Sequence, residues 1–247
     1  MSVFISFSGA SREEYAIQFL NFFNKYGLHC WYDQHELFLG DELHKTIIKQ
    51  GISQSKYCVL IINQAFLNSN WPCEEAHLFF KRFKSGEDIT IFPILLDITK
   101  KDLANSKINF LLKIKYQFLH AGESIDQIAF QIINRVFFDI AKQCSFSDFK
   151  SLLKHVERLS HNKDIDLYNA LITLKDFDET DYRSRTIFLI CLIRLFHHNP
   201  FEKTIRNISY LIYDNYKINF DIYKTVESIL LIIASQDFNQ SGLLEFY

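Results

Sequence analysis

Short apolar runs of strand length recur along the first part of this chain, each followed by a longer stretch with helical spacing. The runs are VFISF (residues 3–7), HCWYD (29–33), YCVLII (57–62), ITIFPILL (89–96) and YQFLH (116–120). Their starts lie about 25 to 33 residues apart, the length of one strand with one covering helix, so the pattern predicts a parallel sheet clothed by helices. The runs are apolar on both faces, as strands buried between two helical layers should be.

After about Cys144 the pattern changes. Only helical periodicity is visible, in pieces near 146–160, 164–175, 181–197, 201–214 and 219–236, with turn punctuation at SHNKD, HHNP and NYKIN. No internal repeat or low-complexity stretch interrupts either part. The expected organisation is an α/β domain over residues 1–143 and an all-helical domain over 144–247.

Composition narrows the function classes. A formal charge of -2 offers no electrostatic case for nucleic acid or an anionic membrane as partner. Seven Gly and three Pro argue against long flexible linkers. The five cysteines, Cys30, Cys58, Cys73, Cys144 and Cys191, include no CxxC pair, which removes zinc-ribbon and thioredoxin-type motifs. The opening MSVFISFS lacks the basic and long apolar regions of a secretion signal, and reduced thiols in a cytoplasm are the simplest expectation. TIFLICLIRLF and ESILLIIASQ are interrupted or too short to cross a bilayer and are expected to form core helices.

In an open parallel sheet, ligands bind beyond the carboxyl ends of the strands, near the point where strand order reverses. Three loops qualify. SGAS (8–11) lacks the lysine of a P-loop and the repeated glycines of a dinucleotide fingerprint, so a tight strand-to-helix turn with Ser11 as N-cap competes with a ligand contact. DQHELFLGDEL (33–43) carries apolar Leu37, Phe38 and Leu39 before Gly40, suited either to packing on its own domain or to covering a ligand or a neighbouring subunit. Asp33, at its start, can bind a ligand or cap its own backbone.

The third loop leads into NWPCEEA (70–76). Trp71 and Glu75 are four apart, so on a helix they share a face and point together toward the sheet's carboxyl edge. Two accounts stand side by side: a packing indole with a dipole-compensating carboxylate, a role Glu74 fills equally well, or a site. An ion partner such as Arg82 sealing off Glu75 would exclude the second. Cys73 and His77, also four apart, have no further metal ligands nearby, and no G-x-S-x-G or H-E-x-x-H occurs. No metal is expected.

Taken together, these stretches resemble a TIR (Toll/interleukin-1 receptor) domain over about residues 1–143. VFISFSGASRE is similar to the family's first box, CWYDQHELFLGDEL to the second with its BB loop, NWPCEEAHLF to the W-x-x-x-E element of NAD-cleaving members, and IFPILLD to the fourth strand. The resemblance implies a flavodoxin-like five-stranded sheet of order 2-1-3-4-5 and NAD+ as substrate, with no separate cofactor. Glu75 is then the catalytic residue, and Phe7, Ser8, Gly9, Asp33, Leu37, Phe38, Leu39, Gly40 and Trp71 are the substrate contacts. The chain departs from the family at Leu39, where many members have proline, and at Ser8, where several NAD-cleaving members have arginine.

One carboxylate suffices for that chemistry. Glycosidases generally use two because a neutral leaving group must be protonated, whereas nicotinamide leaves NAD+ as a neutral molecule from a cationic ring. What remains is stabilisation of the developing oxocarbenium ion. The resemblance further implies activation by self-association through the TIR domain and BB loop into a homo-oligomer or filament. The helical domain would then assemble or meet a trigger protein, and the role would be antiphage defence by NAD depletion. The alternatives are an enzyme making a cyclic ADP-ribose-type signal and a non-catalytic TIR adaptor. A response-regulator receiver shares the fold but needs acidic residues where Ser8 and Asn63 stand.

Overall fold

The computed structural model describes residues 2–31, 47–159, 165–196 and 198–238. The chain divides into two compact units, residues 1–129 and 130–247.

The first unit is built on five parallel strands, β1 (Ser2–Phe7), β2 (His29–Trp31), β3 (Tyr57–Ile62), β4 (Thr90–Leu96) and β5 (Gln117–Leu119), in the order β2-β1-β3-β4-β5. β3 sits in the middle and all six of its residues are buried, which is why YCVLII has no polar position: helices cover both of its faces. β1 pairs with β3 through Phe4–Cys58 and Phe7–Ile61 and with β2 through Phe4–Trp31. The chain adds β2 on one side of β1 and then crosses to add β3 on the other. Strand order therefore reverses between β1 and β3, and their carboxyl ends open the crevice expected of such a sheet.

The connecting segments are α1 (Ile17–Lys25), α2 (Gln64–Asn68), α3 (Asn70–Lys84), α4 (Lys100–Ala104) and a π-helical turn over Ile47–Ile52. Asn63 caps α2 by accepting the Phe66 backbone N–H at 2.8 Å. A break at Ser69, in extended conformation, then lets α3 start afresh. Pro72 sits in the first turn of α3, where its missing N–H costs nothing. The face of α3 carrying Pro72, Glu75, Ala76 and Phe79 is buried, with Phe79 packed 5.3 Å from the Phe4 ring.

α5 (Asp126–Ala141) lies mostly in the second unit. The expected junction after residue 143 follows this helix, whereas the division of the fold falls inside it. The reason is side-chain packing: Phe130 meets Tyr216, Phe137 meets Phe201, and Asn134 donates to Asp221 at 2.9 Å. The other helices of this unit are α6 (Phe149–Leu159), α7 (Ile165–Thr173), α8 (Tyr182–Ile193), α9 (Glu202–Tyr213) and α10 (Phe220–Phe238), close to the stretches read from periodicity. α10 is its core helix, buried continuously from Ser228 to Ser235. Among the described residues, no helix is long and apolar enough to cross a membrane.

Candidate active site

Ser6 stands between apolar Ile5 and Phe7 in β1, and it is 1% exposed. A buried hydroxyl without a partner costs free energy; this one donates a hydrogen bond of 2.5 Å to Oε2 of Glu75. Residues two apart on a strand share a face, so Phe4 and Ser6 both look toward α3. Trp71, Glu75 and Phe79 form the matching stripe on that helix. The sheet and the helix thus meet at an apolar contact, Phe4 with Phe79, and one turn further on at the polar pair Ser6 and Glu75.

This polar pair lies in a cleft of about 230 Å³ at the carboxyl edge of the sheet. Its described lining comprises Phe4, Ile5, Ser6, Phe7, Ser8, Gly9, Trp31, Ile47, Ser69, Trp71, Pro72 and Glu75. Of these residues Glu75 alone bears a charge. Glu75 is 6% exposed, whereas Glu74 beside it is exposed.

The position and burial of Glu75 do not match a dipole-compensating role. α3 begins at Asn70, so its first turn contains no acidic residue, and the dipole's influence is confined to that turn. A carboxylate that served the dipole would also gain nothing from burial. Arg82 does not seal Glu75 off: its guanidinium donates to the carbonyls of Ile52 and Ser55 and pairs with Glu87.

The tips of β1 and β3 are tied together at the point of strand reversal. Ser8 Oγ donates to Asn63 Oδ1 at 2.9 Å, and that same oxygen caps α2. Ser11 was expected as an N-cap. Instead its backbone N–H and its hydroxyl both donate to the Ser8 carbonyl, at 3.0 and 3.1 Å. The tight turn is present, but this hydroxyl tightens the turn rather than capping a helix. At Gly9 a methyl group would meet nothing within 4 Å, so packing does not require glycine there.

Of the expected site residues, Glu75, Phe7, Ser8, Gly9 and Trp71 all line the one cleft. Asp33, Leu37, Phe38, Leu39 and Gly40 lie outside the described residues. Cys73 and His77 are bonded to the protein: the thiol faces the Phe66 carbonyl at 3.4 Å, and His77 Nδ1 donates to the Cys73 carbonyl at 2.8 Å. No group of three or more potential metal ligands occurs among the described residues.

Sequence reasoning missed Ser6, Phe4, Trp31 and Ile47 as parts of the cleft. Only Ser6 carried a signal, as a hydroxyl inside a strand buried on both faces. Phe4 and Trp31 stack with centroids 5.0 Å apart and planes 12° from parallel. Their joint placement depends on the pairing of β1 with β2, which no local pattern announces.

A family signature described as TIR domain matches residues 3–131. The chain belongs to the TIR domain family. The signature covers the sheet and the cleft, and the parallel order β2-β1-β3-β4-β5 agrees with the flavodoxin-like topology expected of a TIR domain. Three curated TIR relatives place the similarity more narrowly. A probable 2' cyclic ADP-D-ribose synthase, TcpO of Methanobrevibacter olleyae, is 36% identical over 41% of this chain and 29% of its own length. The 2' cyclic ADP-D-ribose synthase AbTIR of Acinetobacter baumannii is 28% identical over 53% of this chain and 47% of its own. The NAD(+) hydrolase TcpA of a Theionarchaea archaeon is 27% identical over 41% and 30%. The matches therefore span less than half the length of these relatives.

Proposed function

We propose that this TIR protein cleaves NAD+ between nicotinamide and ribose, with Glu75 as the catalytic carboxylate. The observation that carries this reading is the burial of Glu75 beside Trp71 in the cleft at the strand-reversal point, hydrogen-bonded to Ser6. The carboxylate of Glu75, in a cleft whose described lining is otherwise uncharged, attracts a cationic pyridinium nucleotide and stabilises the oxocarbenium ion that forms as the ring departs. At about 230 Å³ the cleft is smaller than the roughly 300–1,000 Å³ of pockets that engulf a whole drug-sized ligand. It suits one end of a dinucleotide, with Trp71 offering an aromatic face to the base.

In the reaction the C–N bond breaks with its electron pair going to nicotinamide, which leaves neutral. The ribosyl cation is then captured by water, giving ADP-ribose and a proton, or by a hydroxyl of the same molecule, giving a cyclic product and a proton. The names of the relatives, two cyclic ADP-D-ribose synthases and one NAD(+) hydrolase, support carrying both outcomes. Control by self-assembly, with the helical unit joining copies or meeting a trigger protein, belongs to the same proposal. So do cytoplasmic action and a role in antiphage defence.

The test is to incubate the purified chain with NAD+ over a range of protein concentrations and to resolve the products by chromatography, alongside Glu75→Gln. Turnover that rises steeply with concentration and disappears in the variant supports enzyme and assembly together. Full turnover by Glu75→Gln overturns the catalytic assignment. Inactivity of the unmodified chain at every concentration favours a TIR adaptor.

A further inference from the structure

We infer that Ser6 is a positioning residue for the cleft's carboxylate: its hydroxyl fixes the rotation of the Glu75 side chain, so that the carboxylate meets the ribose in one orientation. This deepens the proposed NAD+ cleavage and rests on it.

Three observations carry the inference. First, the β1 sequence is apolar on either side of Ser6, and the structure buries that position to 1% exposure. An alanine or valine there would avoid the cost of burying a hydroxyl, so the hydroxyl calls for a reason. Second, the partner of that hydroxyl is Oε2 of Glu75, 69 residues away in sequence and on a different element. The bond contributes nothing to the local conformation of either the strand or the helix. Third, both groups line the same cleft, so the bond sits where the substrate's sugar would lie and not beneath the core.

A glutamate has three rotatable side-chain bonds, and helical packing restrains mainly the first of them. Anchoring Oε2 on β1, a strand paired on both sides, restrains the remaining bonds and with them the orientation of the carboxylate. A carboxylate must be held within about 0.5 Å and 10–20° to act on a developing charge. The hydroxyl also acts as a charge-assisted donor, the stronger kind of hydrogen bond. Phe4 and Phe79, packed on each other one turn below the pair and both buried, keep water from that side of it.

The experiment compares Ser6→Ala, Ser6→Cys and Ser6→Thr with the unmodified chain and with Glu75→Gln. NAD+ turnover is measured as separate kcat and KM, and thermal melting and light scattering verify fold and assembly. The expected result is a loss of about ten- to hundred-fold for alanine and cysteine, carried by kcat, with KM changed less than about three-fold. Threonine, which retains the hydroxyl, recovers most of that loss. If alanine does not fold, the contrast between cysteine and threonine decides the matter, because both are larger than serine and only one is a good donor.

The inference is overturned if the alanine and cysteine variants keep at least half the activity, if threonine is as impaired as they are, or if the loss lies wholly in KM. With Glu75→Gln inactive, any of these sinks the role of Ser6 and leaves the catalytic reading standing. An active Glu75→Gln sinks both.

Discussion

Gly51 offers a test of the packing that shapes the cleft. It lies in the π-helical turn over Ile47–Ile52, and a Cβ added there would sit 2.8 Å from Cε2 of Phe4 and 2.9 Å from two ring carbons of Trp31. Carbon atoms normally approach to about 3.5–4.0 Å, so roughly 0.6 Å or more must be opened on two rings at once. The rings are 1% and 5% exposed and stacked on each other, so neither can swing aside alone. Overpacking costs about 1–3 kcal/mol, and with two buried rings displaced at once the upper part of that range applies, about 2–3 kcal/mol. Alanine's better helix propensity offsets at most about 1 kcal/mol. For Gly51→Ala a net loss of about 1–2 kcal/mol remains, equivalent to a fall in Tm of about 3–8 °C. The assay is thermal melting followed by circular dichroism, with Gly9→Ala as control, since a methyl group there meets nothing and should leave Tm within about 1 °C. A Gly51→Ala protein that melts at or above the unmodified temperature would show that the rings do not close on Gly51 and would remove the stated basis for the cleft's wall.

Two further outcomes follow from buried groups. Burial pushes the Cys30 thiol up to about 12 and the Cys58 thiol well above 9.0, with the negative charge of Glu75 adding to the latter. The folded chain therefore keeps protons that the unfolded chain loses above about pH 9, and stability falls from there as pH rises toward 12. Urea midpoints at pH 8 and 10.5 should drop less for Cys30→Ala than for the unmodified chain, at about 1.4 kcal/mol per pH unit for the group removed; equal drops would contradict the burial of Cys30. Arg82→Ala strips the donor from the Ile52 and Ser55 carbonyls and should cost about 1–3 kcal/mol in chemical denaturation. Lysine should restore little, since a single ammonium cannot span both carbonyls and Glu87, and an Arg82→Lys protein of full stability would refute that geometry.

Much of the TIR unit was legible because its signals are local. A fully buried central strand has to be apolar throughout, so YCVLII declares itself. Pro72 and the apolar stripe through Ala76 and Phe79 mark a helix by spacing. Trp71 and Glu75 were legible as a pair because four residues along a helix return to the same side. The burial of Glu75 was not legible, nor was the exposure of Glu74: adjacent glutamates differ only in which of them faces the sheet. Ser11 shows the converse, a residue whose type suited an N-cap but whose hydroxyl the fold turned back to the Ser8 carbonyl.

Periodicity and residue type by themselves determined that this chain forms parallel strand-helix units followed by helices, because those elements are specified by patterns a few residues long. They also supplied the indole and the carboxylate on one helical face. Only the tertiary structure decided that Ser6 reaches Glu75 across 69 residues, that Phe4 and Trp31 close on Gly51, and that α5 packs largely with the helical unit. Each of these depends on which strands become neighbours and how side chains interlock between elements distant in sequence, and that is settled by the packing of the whole chain.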